Sequence, residues 1–220
     1  MNSNKEYKGV IFDLDGTLLN TLGTYTYIMN ELLKENNFPV HSEETYGSFI
    51  GNGAKNFITK SLPLEVRNEA FIEKLLHEFH TQYEVTYNQH SKVYDGVMKV
   101  LLAIQTEGIQ LTLLSNKLHH LTQKCAAYFF SEIQFKYVIG QSAKYKKPDP
   151  SGVTELSKQL EIPLEELVFI GDTEVDINTA KNATIDSIAV TWGYRTKEDL
   201  TALKPNYLAE TPKDLLKLLL

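Results

Sequence analysis

Four short stretches of this chain carry side chains suited to chemistry rather than packing. Asp13-Leu14-Asp15-Gly16-Thr17-Leu18 sets two carboxylates one residue apart, directly after the apolar run Val10-Ile11-Phe12. A strand buried on both faces reads as such a run. Ionised groups at its end are costly unless a metal, a hydrogen-bond network or a partner charge receives them. Ser115-Asn116 follows Leu111–Leu114, and Lys146-Lys147-Pro148-Asp149-Pro150 lies beyond Tyr137–Ile139. Gly171-Asp172-Thr173-Glu174-Val175-Asp176 follows Val168–Ile170. Asp13, Asp15 and Asp172 gathered at one place would repel one another without a cation. Hard oxygen donors in small number suit Mg²⁺, which keeps waters and shares phosphate oxygens. A carboxylate can attack phosphorus to form an aspartyl-phosphate, and a second can give and take the proton. Lysine and serine donors can hold the phosphoryl oxygens.

These residues share a chemistry only if the fold brings them together. Val10–Phe12, Leu111–Leu114, Tyr137–Ile139, Val168–Ile170, Ser187–Thr191 and Asn206–Leu208 are short, apolar and bounded by turn residues, as strands are. Helical faces lie between them: Val97, Val100, Leu101 and Ile104, then Val153, Leu156 and Leu160. Alternation of this kind predicts an α/β fold with a Rossmann-like parallel sheet flanked by helices. Such sheets bind ligands at the carboxyl ends of their strands, where all four stretches fall.

Residues 19–90 break the rhythm. Ile28, Leu32 and Leu33 mark one amphipathic helix, and Phe71, Leu75, Phe79 and Tyr83 another, with no central strand. A first connection this long predicts an inserted small helical cap domain, 19–90, in a catalytic core of 1–18 and 91–220.

At 220 residues and 42% hydrophobic content, the chain can bury a substantial core. A net charge of −6 argues against nucleic acid or an anionic membrane as the main partner. A single cysteine, Cys125, excludes an intrachain disulfide and fits a reducing compartment. The polar first residues carry no apolar signal segment, and no run approaches the roughly 20 residues that span a bilayer. A cytoplasmic protein, monomer or homodimer, acting on a small phosphorylated metabolite is expected.

The order of these stretches resembles the haloacid dehalogenase (HAD) superfamily, in its helical-cap, phosphoglycolate phosphatase-like branch. Its DxDGTL motif matches Asp13 to Leu18, its Ser or Thr matches Ser115, its Lys before Pro matches Lys147, and its GDxxxD matches Gly171, Asp172 and Asp176. The resemblance implies that Asp13 is the nucleophile and Asp15 the general acid/base. It implies Mg²⁺ held by Asp13, the main-chain carbonyl of Asp15 and Asp172, with Asp176 outside them. Ser115 and Asn116 then bind phosphate, and Lys147 balances its charge. Glu174 is a further outer contact. In the cap, Gly51-Asn52-Gly53 matches a GxG element that faces the substrate in such proteins, which makes Gly51, Asn52 and Lys55 substrate-contact candidates.

Asp15 argues against dehalogenation, which does not need the second carboxylate. No cap lysine stands in a phosphonate-cleaving motif. Phosphomonoester hydrolysis, with phosphoglycolate first, is the expected reaction; a sugar-phosphate phosphomutase or a non-catalytic binding protein on this scaffold are the alternatives. Plainer roles compete at single positions. Asp176 fits a helix cap, Asp149 a loop, and Asp186 the wrong end of its strand. Lys144 and Lys146 read as solvated. The histidines lack zinc-site spacing, and Phe57, Phe71, Phe79 and Tyr83 read as packing.

Overall fold

The computed structural model describes residues 6–220. In chain order the elements begin with β1 (Gly9–Phe12), β2 (Leu19–Asn20), α1 (Leu22–Glu35), α2 (Glu43–Gly47), α3 (Ala54–Ser61), α4 (Glu69–Thr86) and β3 (Lys92–Val93). They continue with α5 (Val97–Thr106), β4 (Gln110–Leu118), α6 (His119–Phe129), β5 (Phe135–Gln141), α7 (Ser151–Leu160) and β6 (Leu167–Gly171). The chain closes with α8 (Glu174–Asn182), β7 (Asp186–Val190), α9 (Lys197–Ala202), β8 (Tyr207–Ala209) and α10 (Pro212–Leu219). It divides into two compact units, Met1–Leu19 with Val93–Leu220, and Asn20–Lys92. Among the described residues no helix is long and apolar enough to cross a membrane.

The first unit is built on a six-stranded sheet in the order β5-β4-β1-β6-β7-β8, with every pairing parallel. β1 lies in its middle, with Phe12 level with Leu113 of β4 and Ile170 of β6. This position explains its composition: Val10, Ile11 and Phe12 are wholly buried. Each such side chain contributes roughly 1.5–3 kcal/mol by leaving water. The chain leaves β1 toward β4 on one side and leaves β6 toward β7 on the other. The carboxyl ends of β1 and β6 therefore flank a topological switch point, the usual crevice of an open parallel sheet. On one face Val153 and Leu156 of α7 and Ala180 of α8 pack against Ile11 and Phe169.

The six expected strands are present, with one informative difference. β4 does not stop at Leu114 but runs on to Leu118, where it pairs with Gln141 after an irregularity in register. Ser115 and Asn116 therefore sit inside the extended end of a strand rather than in the loop beyond it. Beyond the end of β1, β4 pairs with β5 at Leu114 and again at Leu118, on either side of that irregularity.

The second unit is helical. α1 buries Ile28, Met29, Leu32 and Leu33, and α4 buries Ile72, Leu75, Phe79 and Tyr83. Its interior is a ring cluster: Tyr25 stands edge-on to Phe57 with centroids 5.0 Å apart, and Phe79 lies 5.3 Å from Tyr25. Ser42 caps α2 through the Thr45 N–H, and Asn68 caps α4 through the Phe71 N–H. The two-residue strands β2 and β3 pair with each other where the chain passes between the units.

Candidate active site

Asp13 is the first residue beyond β1, and its N–H donates to the Ile170 carbonyl at 2.9 Å. That bond extends the β1–β6 ladder by one step and brings the Asp13 carboxylate to the end of β6, where Asp172 begins the next turn. One carboxylate oxygen from each of Asp13, Asp172 and Asp176 lies within 4.8 Å of the others, and all three residues are buried.

Each carboxylate is held by named donors. Asp172 accepts from the Thr17 hydroxyl and from the Tyr194 N–H, both at 2.8 Å, so one hydrogen bond reaches each of its oxygens. Two glycines make room for it. A Cβ on Gly16 would come within 2.2 Å of Asp172, and one on Gly193 within 2.3 Å. Gly16 also has φ +90°, which other residues rarely adopt. Asp176 accepts from the Thr173 N–H at 3.0 Å and hydroxyl at 2.8 Å, forming a capping box at the start of α8. Its other oxygen receives the Lys147 ammonium at 2.6 Å. Asp176 is thus a helix cap and a member of the acidic group at once.

Lys147 is buried between two carboxylates, 2.8 Å from Asp13 and 2.6 Å from Asp176, with the Phe169 ring beneath it. Burial works against its charge, but Asp13 and Asp176 outweigh it and raise the ammonium pKa. Asn116 positions this lysine. Its side-chain carbonyl accepts from the Lys147 N–H at 2.8 Å, and its amide donates to the Lys147 carbonyl at 3.0 Å. The Asn116 side chain thereby serves the backbone of Lys147. The buried Ser115 hydroxyl accepts from the Lys117 N–H at 3.3 Å.

Asp15 stands apart from the three grouped acids. Its two oxygens take the Lys117 ammonium at 2.8 and 2.6 Å. Its side chain is held by this lysine and lies outside the group formed by Asp13, Asp172 and Asp176. Sequence reasoning passed over Lys117 as the tail of the Ser115 motif. The signal was its spacing: residues i and i+2 of a strand share a face, so Lys117 and Ser115 go together as Asp15 and Asp13 do. Tyr94 was also passed over. Burial first, then the charges of Asp172 and Asp15, raise its phenol pKa.

The acids are over-concentrated for the cations among them. Burial pushes the Asp13 carboxyl up to about 7; Lys147 opposes the rise, while Asp176 and Asp15 add to it. Asp172 is likewise raised well above the usual carboxylate range, by burial and then by Asp176 and Asp13. An all-carboxylate donor set under such repulsion fits a hard divalent cation.

Of the remaining predicted residues, Glu174 pairs with Arg195 at 2.8 Å and tethers the turn after β7. Gly51 and Gly53 have positive φ, and Gly53 precedes α3. Lys55 is drawn onto Glu69 and Glu73 of α4. Asp186 begins β7 and accepts from the Tyr7 hydroxyl, at the opposite end of the strand from the acids.

A family model described as haloacid dehalogenase-like hydrolase matches residues 10–190. The phosphoglycolate phosphatase of Colwellia psychrerythraea is 32% identical over 222 residues, covering 96% of this chain and 96% of the relative. That of Vibrio cholerae is 30% identical, covering 98% of each. A solved structure from Lactobacillus delbrueckii matches with TM-score 0.92 at 25% identity, covering 98% of this chain and 99% of its own. A predicted phosphoglycolate phosphatase from Haemophilus somnus matches with TM-score 0.85 at 27% identity, covering 96% and 97%.

Proposed function

Because the chain belongs to the haloacid dehalogenase-like hydrolase family, we propose that it hydrolyses a small phosphomonoester through a phosphorylated Asp13. The observation that carries this reading is the division of the paired carboxylates between two buried lysines: Asp13 to Lys147 and Asp15 to Lys117. Two acids one residue apart, facing different cations, are equipped for two different tasks.

Asp13 attacks phosphorus as the bond to the leaving oxygen breaks, and protonated Asp15 gives that oxygen its proton. Asp15, now a carboxylate, takes a proton from water as the water attacks the phosphoryl group. Inorganic phosphate leaves and Asp13 is regenerated. Lys147 and the Ser115 hydroxyl hold phosphoryl oxygens, with the main-chain N–H of Asn116 as a third donor. Asp13, Asp172 and the Asp15 carbonyl would hold Mg²⁺, with Asp176 outside them. Bound there, the ion supplies charge stabilisation that lets a carboxylate approach an anionic phosphate.

Phosphoglycolate is the proposed substrate, supported by two relatives of that name at 30% identity or more over nearly the full chain. Gly51 and Asn52 are proposed to read the leaving group, with Lys55 the weakest of the three candidates because of its carboxylate pairs. A panel of phosphomonoesters scored by kcat/KM, with Mg²⁺ and with chelator, tests the reading. Phosphoglycolate should rank first, and chelation should abolish turnover until Mg²⁺ is restored. Transfer of phosphate to a sugar, in place of phosphate release, would establish a phosphomutase instead.

A further inference from the structure

We infer that Lys117 is a positioning residue: it fixes the carboxyl group of Asp15 in the orientation from which the acid form gives its proton to the leaving oxygen and the carboxylate then takes one from water. This rests on the reading of Asp15 as the proton donor. The register of β1 on β4 sets Phe12 against Leu113. Carried forward, it brings Lys117 level with the Asp15–Gly16 turn. That contact exists only because β4 runs three residues beyond Ser115.

The geometry is that of a clamp. The ammonium lies within 2.8 Å of both Asp15 oxygens, so it fixes the plane of the carboxylate and not merely one corner. The side chains of Lys117 and Asp15 are only 3% and 10% exposed, so little water competes for either group. The lysine is itself anchored, since its carbonyl accepts from the Thr122 hydroxyl at 3.1 Å and its N–H donates to the Ser115 hydroxyl. That last bond occupies a lone pair of Ser115 and leaves its hydrogen to be donated elsewhere. Backbone pairing of β1 with β4 already ties the two strands, so the ion pair is not needed to join them.

A residue that acts through the proton donor matters most where the leaving group needs a proton. Lys117→Met and Asp15→Asn, alone and together, are compared by kcat/KM on phosphoglycolate and on p-nitrophenyl phosphate, whose leaving group departs without one. Lys117→Met should lower kcat/KM on phosphoglycolate by about 10²-fold, within the range for general acid catalysis. On the aryl ester the loss should be under about fivefold, since protonation there carries little of the barrier. Adding Lys117→Met to Asp15→Asn should change little, because the two act as one unit. Equal losses on both substrates, or losses that multiply in the double variant, overturn the inference while leaving Asp15 as donor. Absence of the split in Asp15→Asn itself overturns the donor reading and the inference with it. Circular dichroism and melting check folding. Lys117→Gln, which keeps a donor without charge, replaces Lys117→Met if the latter unfolds. Failure of both to fold would make the pair structural and also overturn the inference.

Discussion

The two units bury opposite materials. At the carboxyl end of the sheet, the buried side chains include Asp13, Asp15, Asp172, Asp176, Lys117 and Lys147. In the helical unit they are chiefly apolar, aliphatic side chains around a cluster of rings in which Tyr25, Tyr46, Phe57, Phe79 and Tyr83 are in mutual contact. Buried charge contributes little net stability, because desolvation offsets the pairing. Buried rings contribute stability and no acid, base or nucleophile for this reaction. The first region is therefore organised for chemistry at a cost in stability, and the second for stability. Substitutions in the two should move different observables.

The largest expected effect is at Asp13. Asp13→Asn keeps the shape of the side chain and removes the nucleophile, so kcat should fall by at least about 10³-fold, on the scale of lost covalent catalysis. Its melting temperature should not fall, since one of several mutually repelling acids becomes neutral. An unchanged kcat would remove the nucleophile assignment; a collapsed fold would erase the contrast between the units. Phe79→Ala is the mirror experiment. Deleting a buried ring that meets Tyr25, Phe57 and Tyr83 should cost about 3–5 kcal/mol in urea unfolding. A cost below 1 kcal/mol would mean that the ring cluster does not hold its unit together.

A smaller effect is expected at the amino end of the sheet, where the polar groups are structural. The buried Tyr7 hydroxyl donates to Asp186 at 2.7 Å, and Asn206 donates to the other Asp186 oxygen at 2.8 Å. Tyr7→Phe should cost about 1 kcal/mol at neutral pH, the net worth of one hydrogen bond, with activity unchanged. Burial, and then Asp186, raise the phenol pKa above its ordinary 10. The folded state then keeps this proton at pH values where the unfolded chain has lost it. The contribution is complete below pH 10 and declines as pH rises above it. Melting curves on the alkaline side should steepen less with pH in Tyr7→Phe; identical slopes would show that the phenol is not coupled to folding.

The same contrast explains what was legible in the sequence. Strands buried on both faces announce themselves, so β1 and β6 were readable to within a residue. The acids after them stood out because nothing in packing requires them there. Lys117 did not stand out, since a lysine beyond an apolar run resembles a solvated side chain. Its partner is 102 positions away, and the pairing depends on how far β4 extends. Asn116 was visible but its side-chain role was not, because its hydrogen bonds go to the backbone of a residue 31 positions on. In the helical unit α1 and α4 showed their period, whereas α2 spans only Glu43–Gly47, too short to display one. Exposed positions of that unit follow no period that the core enforces, so the pairing of Lys55 with Glu69 and Glu73 left no mark there.

Lys55 gives the smallest expected effect and the finest test of the comparison. Its ammonium meets Glu69 at 2.5 Å and Glu73 at 2.7 Å, and those bonds raise its pKa to about 12. All three side chains are exposed, so water and salt screen the pairs; Lys55→Ala should shift Tm by less than about 2 °C. One lysine against two glutamates leaves the cluster net negative, which repels an anionic ester. The KM for phosphoglycolate should therefore change by less than about twofold, as for a screened surface charge. A tenfold rise in KM at constant kcat would show that substrate takes Lys55 from its glutamates. Recognition would then sit in a region whose buried material serves only stability, on the exposed charges the core does not constrain.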